Sequence, residues 1–182
     1  MVKLALITLG VFAFSAIAGS VTDRKIDTDA TAPFSLESWV SGIIADPDGA
    51  HLRPDEAYAL AVNQTKNDSG TLEKRTLSCN SLGRRTSAGV FDVLLCIASL
   101  ASRGRQGCSL GLGGRAASFC RHGSAIITGH RSGPLWGGGI PSCGDVARAA
   151  TQIVRKCTRD GRVQGWNDAY RNGRVTVNIR GL

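Results

Sequence analysis

Two histidines, His122 and His130, lie in a part of the chain that is rich in arginine. Two imidazoles beside a cation can act as general acid and general base in the cleavage of RNA. We interpret each histidine as a polar residue of a glycine-rich loop and keep a ribonuclease-like toxin as the alternative. Ser124 follows two residues after His122, but no Gly-x-Ser-x-Gly elbow surrounds it. The sequence therefore does not predict a serine hydrolase.

Carboxylates are scarce in the same region, because residues 76–182 contain four Asp and no Glu. We expect Asp92 and Asp145 in the first turns of two helices, where the helix dipole favours an anion. Asp168 is interpreted as a turn former. No catalytic residue is assigned, and the protein is predicted not to be an enzyme.

All six cysteines lie in residues 76–182. An even number of cysteines in a small secreted domain predicts three disulfides. The nearest two are twelve positions apart, which does not fit the closely paired ligands of a zinc site. We therefore predict no metal and no cofactor. The cysteines are Cys79, Cys96, Cys108, Cys120, Cys143 and Cys157.

Charge divides the chain into two parts. Residues 19–75 hold ten Asp and Glu against six Lys and Arg, a net charge of −4. Residues 76–182 hold fourteen Arg and one Lys against four Asp, a net charge of +11. Arginine makes bidentate contacts with phosphate and carboxylate groups. This bias predicts an anionic partner, and the alternative is that the charge only keeps a monomeric protein soluble.

The N-terminus predicts secretion. Lys3 precedes an apolar run over residues 4–14, and small residues allow a cut after Ala18. This pattern is typical of a secretory signal peptide over residues 1–18, and the run is too short to span a membrane. The expected location is extracellular.

Residues 19–75 are interpreted as an acidic pro-segment. Asn63 and Asn67 each begin an N-glycosylation sequon, which favours an exposed loop. The pair Lys74-Arg75 resembles a kexin-type processing site, with polar flanks and every cysteine beyond it. Basic pairs elsewhere show that such a pair can arise by chance. We predict removal after Arg75 by a kexin-type protease, leaving a mature domain over residues 76–182.

The mature domain has the pattern of a small α+β fold. Apolar residues at spacings of three and four predict a helix from Thr86 or Ser87 to Gly104, and a second helix from Ser142 or Gly144 to Cys157. Short strands are predicted over 76–80, 116–121 and 124–128, and in a hairpin that turns at Asn172-Gly173. This order predicts a disulfide-stapled sandwich, with two helices packed on one face of a mainly antiparallel sheet.

Several local sequences resemble the KP4-type killer toxins. The endings Gly165-Trp166-Asn167-Asp168 and 172–179 are similar to that family's final hairpin, and 119–126 is similar to its central cysteine strand. The Ecp2-type (Hce2) fungal effectors have a similar order of elements. The chain departs from KP4-type proteins in having only six cysteines and none at its C-terminus.

The resemblance implies a secreted toxin or virulence effector that acts on other cells, in the KP4 case by interfering with calcium uptake. The family's functional basic residue near the central cysteine is replaced here, so Arg115 or Arg121 is the candidate contact. With His122 and Arg131, these residues form the predicted target-binding patch. By the same analogy we expect the disulfides Cys79–Cys157, Cys96–Cys143 and Cys108–Cys120.

The sequence as a whole predicts a non-catalytic, KP4-like toxin or effector that binds an anionic cell-surface component, a channel or a wall glycan. The alternatives are the ribonuclease-like toxin with His122 and His130, and a cell-wall glycan-binding protein. Exposed charges on the second helix, at Arg148, Arg155 and Lys156, are expected to have no role in binding.

Overall fold

A computed structural model describes residues 33–64, 77–79, 86–111, 114–132, 140–169 and 172–182. The predicted signal peptide, Asn67 and the Lys74-Arg75 pair lie outside these residues. The helices are α1 (Leu36–Ala45), α2 (Pro54–Gln64), α3 (Val90–Ser102) and α4 (Cys143–Cys157). The strands are β1 (Ser78–Cys79), β2 (Ala88–Gly89), β3 (Ala116–His122), β4 (Ala125–Arg131), β5 (Arg162–Val163), β6 (Gly165–Ala169) and β7 (Asn172–Gly181).

Helix α3 is buried over much of its length because its apolar residues recur every three or four positions. Leu94, Ile97 and Leu100 are fully buried. The helix begins at Val90 with Gly89 as its N-cap, which makes no side-chain cap hydrogen bond. The predicted cap at Thr86 or Ser87 is therefore wrong.

Helix α4 begins where the sequence predicts. Ser142 is its N-cap, and the Ser142 hydroxyl accepts a hydrogen bond from the Asp145 backbone N–H at 3.0 Å. Asp145 lies in the first turn, and two basic residues lie in the last turn, as the helix dipole favours. The helix ends at Cys157, which belongs to a disulfide.

Five strands form one antiparallel sheet in the order β1-β6-β7-β4-β3. Strands β2 and β5 form a separate antiparallel pair. Along β7, Val175, Val177 and Ile179 are buried and alternate with more exposed residues, so one face of this sheet is covered. Helices α3 and α4 pack on that face. The predicted α+β sandwich is confirmed.

The final hairpin differs from the prediction. Asn172 already pairs with Ala169, so Asn172-Gly173 belongs to the start of β7 and is not the turn between the strands. Asp168 is a strand residue of β6, which corrects its interpretation as a turn former. Its carboxylate accepts a hydrogen bond from the Thr176 hydroxyl at 3.2 Å.

Three disulfides connect the helices to their surroundings. Cys79–Cys157 ties β1 to the end of α4, as expected from the family resemblance. The other two expected pairings are wrong. Cys96 on α3 pairs with Cys120 on β3, because α3 packs directly on β3. Cys108, just after α3, pairs with Cys143 at the start of α4.

Two helices that the sequence analysis did not predict form a further layer. Helices α1 and α2 come from the predicted pro-segment, and α1 packs on α3 and α4. The Trp39 indole N–H donates to the Leu52 carbonyl at 3.0 Å, which holds the connection between α1 and α2. Asn63 is exposed in the last turn of α2 rather than in a loop. Among the described residues, no helix is both long and apolar enough to cross a membrane.

Candidate target-binding surface

The face of the sheet opposite α3 and α4 presents its side chains in rows that cross neighbouring strands. Side chains alternate between the two faces along each strand, and directly paired residues lie on the same face. Arg121 on β3 pairs with Ile126 on β4, and Ile126 pairs with Arg180 on β7. Because Ile127 and Ile179 face the helices, this row lies on the opposite face, which we call the open face.

Arg121 and Arg180 are both exposed. Neither side chain makes a hydrogen bond or an ion pair in the described part of the chain. They are two strands apart, which places their Cα atoms about 10 Å from each other. Two guanidinium groups with free donors therefore flank the buried Ile126 at one end of the open face.

The adjoining rows of the open face are polar and carry one large aromatic ring. Trp166 pairs with Asn178, Asn178 pairs with Thr128, and Thr128 pairs with Ser118. Thr128 is also within 3.2 Å of the His130 Nε2 atom. The open face thus combines free arginines at one end with hydrogen-bonding side chains and Trp166 across its middle.

The turn between β3 and β4 fixes Arg121 at the end of its strand. The Asp92 carboxylate at the start of α3 accepts from both the backbone N–H and the hydroxyl of Ser124, each at 2.7 Å. The Ser124 hydroxyl in turn accepts from the Gly89 N–H at 2.8 Å. The hydrogen bonds from the Ser124 hydroxyl and from its backbone N–H, with a smaller contribution from nearby His122, lower the pKa of Asp92 below its ordinary value.

Gly123 completes this turn because no other residue type fits there. Its φ is +48°, and a Cβ atom would lie 2.4 Å from the Asp92 Oδ1 atom. The positive φ and the missing side chain let the turn close onto the carboxylate.

The residues of the predicted target-binding patch do not lie together. Arg121 and His122 are at the turn end of β3, whereas Arg115 and Arg131 are at the other end, joined by a backbone hydrogen bond of 2.9 Å. Six residues of extended strand separate Arg115 from Arg121 by about 20 Å. Arg131 is half-buried, and its Nε atom has no acceptor among the described residues.

Arg180, which lies on the same row as Arg121, was not among the predicted binding residues. The signal was present in the alternation of Val175, Val177 and Ile179 with Thr176, Asn178 and Arg180. That alternation places Arg180 on the face opposite the core. Strand order could not be read from it, so the nearness of β7 to β3 was not predictable.

His122 and His130, the two residues of the ribonuclease alternative, lie on different strands. His122 pairs with Ala125, and His130 lies five residues further along β4, about 17 Å away and on the opposite face. The Ser124 hydroxyl is already engaged with Asp92 and Gly89. In the described part of the chain, no three His, Cys, Asp or Glu side chains are grouped to hold a metal ion.

Of the three basic residues of α4 that were predicted to be ordinary surface charges, Arg148 and Arg155 have acidic partners. Arg155 donates to the Glu37 carboxylate of α1 at 2.7 Å. Arg148 contacts the Asp145 carboxylate at 3.5 Å. Lys156 is exposed.

The model of one protein family matches residues 74–181, more than half of the chain; this family is described as a domain of unknown function (DUF8794). The chain belongs to the DUF8794 family. The DUF8794 match contains all six cysteines and the whole sheet, and it leaves α1 and α2 outside. No curated protein matches the chain, and no solved structure matches it. The KP4-type resemblance therefore stays a prediction.

Proposed function

We propose that this chain is the precursor of a secreted, KP4-like toxin or virulence effector, whose domain from Thr76 binds an anionic target on other cells without catalysis. The observation that carries the proposal is the pair of exposed, unpartnered arginines, Arg121 and Arg180, on the open face of the sheet. An exposed guanidinium can present up to five N–H donors to a phosphate, sulfate or carboxylate.

The spacing of the two arginines favours a target with repeated negative charges. Anionic groups about 10 Å apart, as on an acidic glycan chain or a cluster of lipid headgroups, can contact both guanidinium groups at once. The polar rows beside them supply hydrogen-bond partners for the rest of the target. Trp166 on the same face supports a wall glycan as one form of that target, because its ring can stack on a sugar.

Secretion and processing are parts of the same proposal. Three disulfides in a small domain suit an oxidising compartment. The DUF8794 match begins at Lys74, the first residue of the predicted processing pair. A domain boundary at the dibasic pair supports cleavage after Arg75.

Replacing both arginines tests the proposed surface. We expect Arg121→Gln with Arg180→Gln to weaken binding to anionic glycan beads or target cells by about tenfold or more, since charged hydrogen bonds are lost. Unfolding free energy should change by less than about 0.5 kcal/mol, because both side chains are exposed. Binding of the unchanged protein should fall as salt increases.

The matched control is Lys156→Gln with Arg159→Gln, which removes the same charge from two exposed residues outside the sheet. Equal loss in both double variants would mean that net charge alone drives binding, and the proposed surface would be wrong. RNA cleavage that disappears in His122→Ala or His130→Ala would replace the proposal with the ribonuclease alternative.

A further inference from the structure

Helix α1 contributes to the same hydrophobic core as the cysteine-containing domain. Its Leu36, Trp39, Val40 and Ile43 are all buried, and they belong to one cluster with the buried residues of α3 and α4. Ala57 of α2 is fully buried in that cluster as well. The residues 33–64, which we call the α1–α2 segment, therefore cover an apolar surface of the domain.

Helix α1 runs antiparallel to α4. Near its start, Glu37 pairs with Arg155 at the C-terminal end of α4. Near its end, Ile44 lies close to Gly144 at the N-terminal end of α4. The two contacts fix both the direction and the register of α1 on the domain.

Two glycines of the domain make room for Ile44. A Cβ atom on Gly104 would lie 2.9 Å from the Ile44 side chain, and one on Gly144 would lie 3.2 Å from it. A larger residue at Gly104 would force the Ile44 side chain to shift, and one at Gly144 would crowd both Ile44 and the Gly104 carbonyl. At the opposite end of α3, the Tyr58 ring of α2 packs edge-on against the Phe91 ring, with centroids 5.6 Å apart.

Nothing covalent would join the α1–α2 segment to the domain after cleavage, because Cys79 is the first cysteine in the chain. Release of the segment would expose the apolar surface that α1 covers, which water disfavours. Charge also favours retention of the segment, since residues 33–64 carry five acidic residues and one arginine, whereas the domain is strongly basic.

We propose that the α1–α2 segment stays bound after cleavage at Lys74-Arg75, so that the processed protein is a non-covalent two-chain molecule. This inference rests on the processing in the proposed function. Because α1 and α2 pack on the helices, they leave the open face with Arg121 and Arg180 uncovered. The bound segment completes the fold, and it does not mask the proposed binding surface.

Cleavage of the purified full chain tests this inference. The chain is cut with a kexin-type protease, intact masses identify the cut after Arg75, and gel filtration with light scattering follows under native conditions. We expect both fragments in one peak with their summed mass, and two separate peaks in denaturant. Separate elution under native conditions would overturn the inference.

A failure of the protease to cut at Lys74-Arg75 would count against the proposed processing alone. In that case, a recognition site for a sequence-specific protease in place of residues 67–73 supplies the cut. The same native gel filtration then decides whether the α1–α2 segment stays bound.

The ion pair provides a specific readout that a general loss of folding would not reproduce. We expect Glu37→Lys to weaken the association of the cleaved fragments by about twofold to fivefold, as for other partly exposed ion pairs. Adding Arg155→Glu should restore it. Asp48→Lys, the same charge reversal at an exposed residue, is the control and should change little. Equal effects of Glu37→Lys and Asp48→Lys would contradict the assigned register.

Discussion

The α1–α2 segment and the β3–β4 hairpin are both attached to α3, by different means. The hairpin is attached by the disulfide Cys96–Cys120 and by the hydrogen bonds of Asp92 to its turn. The α1–α2 segment is attached by buried apolar side chains and by the Glu37–Arg155 ion pair to α4. The disulfides are thus confined to the part of the chain that the family model matches.

This difference predicts two levels of stability in one molecule. A segment held without a disulfide can open while the rest of the protein stays folded. A hairpin held by a disulfide and a partly buried hydrogen-bond network should open only when the domain unfolds.

The largest effect is expected from two matched leucine substitutions. Leu94→Ala in α3 should lower the free energy of unfolding of the whole domain by about 2 to 5 kcal/mol, because it leaves a cavity in the core. Leu36→Ala in α1 should cause a similar loss that is confined to residues 33–64. Hydrogen exchange resolved by segment distinguishes the two results.

If Leu36→Ala instead reduces the protection of β7 as much as that of α1, the segment and the domain unfold as one cooperative unit. The α1–α2 segment would then have no separate, lower level of stability. Leu60→Ala, at an exposed position of α2, is the control.

The next largest loss of stability is expected from substituting two glycines that have positive φ, Gly123 and Gly161. Gly161→Ala introduces only backbone strain, since nothing lies within 4 Å of its added Cβ, and should cost about 1 to 2 kcal/mol. Gly123→Ala should cost more, because its Cβ would also collide with the Asp92 carboxylate. Chemical denaturation of both variants measures the difference. In an Asp92→Ala background the two costs should become more alike, and an unchanged difference would show that Asp92 does not hold the turn.

The smallest effect is the pH dependence of the Asp92 attachment. The pKa of Asp92 is lower in the folded protein than its ordinary value of 3.8. Its contribution to stability is therefore complete above that value and is lost as the pH falls through the folded pKa. Asp92→Asn should destabilise by about 1 kcal/mol at pH 7 and by less in acid. If the difference in unfolding free energy between the unchanged protein and Asp92→Asn is the same at pH 7 and pH 3, the Asp92 carboxylate does not stabilise the turn through its charge.

The sequence correctly predicted the elements in which several local signals, such as capping residues, terminal charges and apolar spacing, indicate the same structure. Helix α4 has a capping serine, an acidic first turn and basic residues in its last turn, and these signals placed it within a residue. Alternation in β7 predicted which residues face the core. Local patterns are enough for such elements because the contacts that shape them lie close in sequence.

The rest depended on contacts between distant residues. The spacing of Leu36, Trp39, Val40 and Ile43 is helical, but residues 19–75 were interpreted from their charge as an acidic pro-segment, and no helix was predicted there. Two disulfide pairings were wrong because they depend on which strand lies under α3. Arg121 and Arg180 lie in one row of the sheet only because β4 lies between β3 and β7, and no local pattern specifies that strand order.

Strand β7 has a consequence for how the molecule can form during synthesis. It is the last of the described strands to be made, yet it lies between β4 and β6 in the sheet. Until β7 is made, the β3–β4 hairpin lacks its neighbour in the sheet, although all six cysteines have already been made. The native sheet, which separates the three disulfides, can therefore form only after β7 has been made. Oxidation that outpaces translation would trap mispaired cysteines, so the yield of native protein should depend on disulfide isomerases.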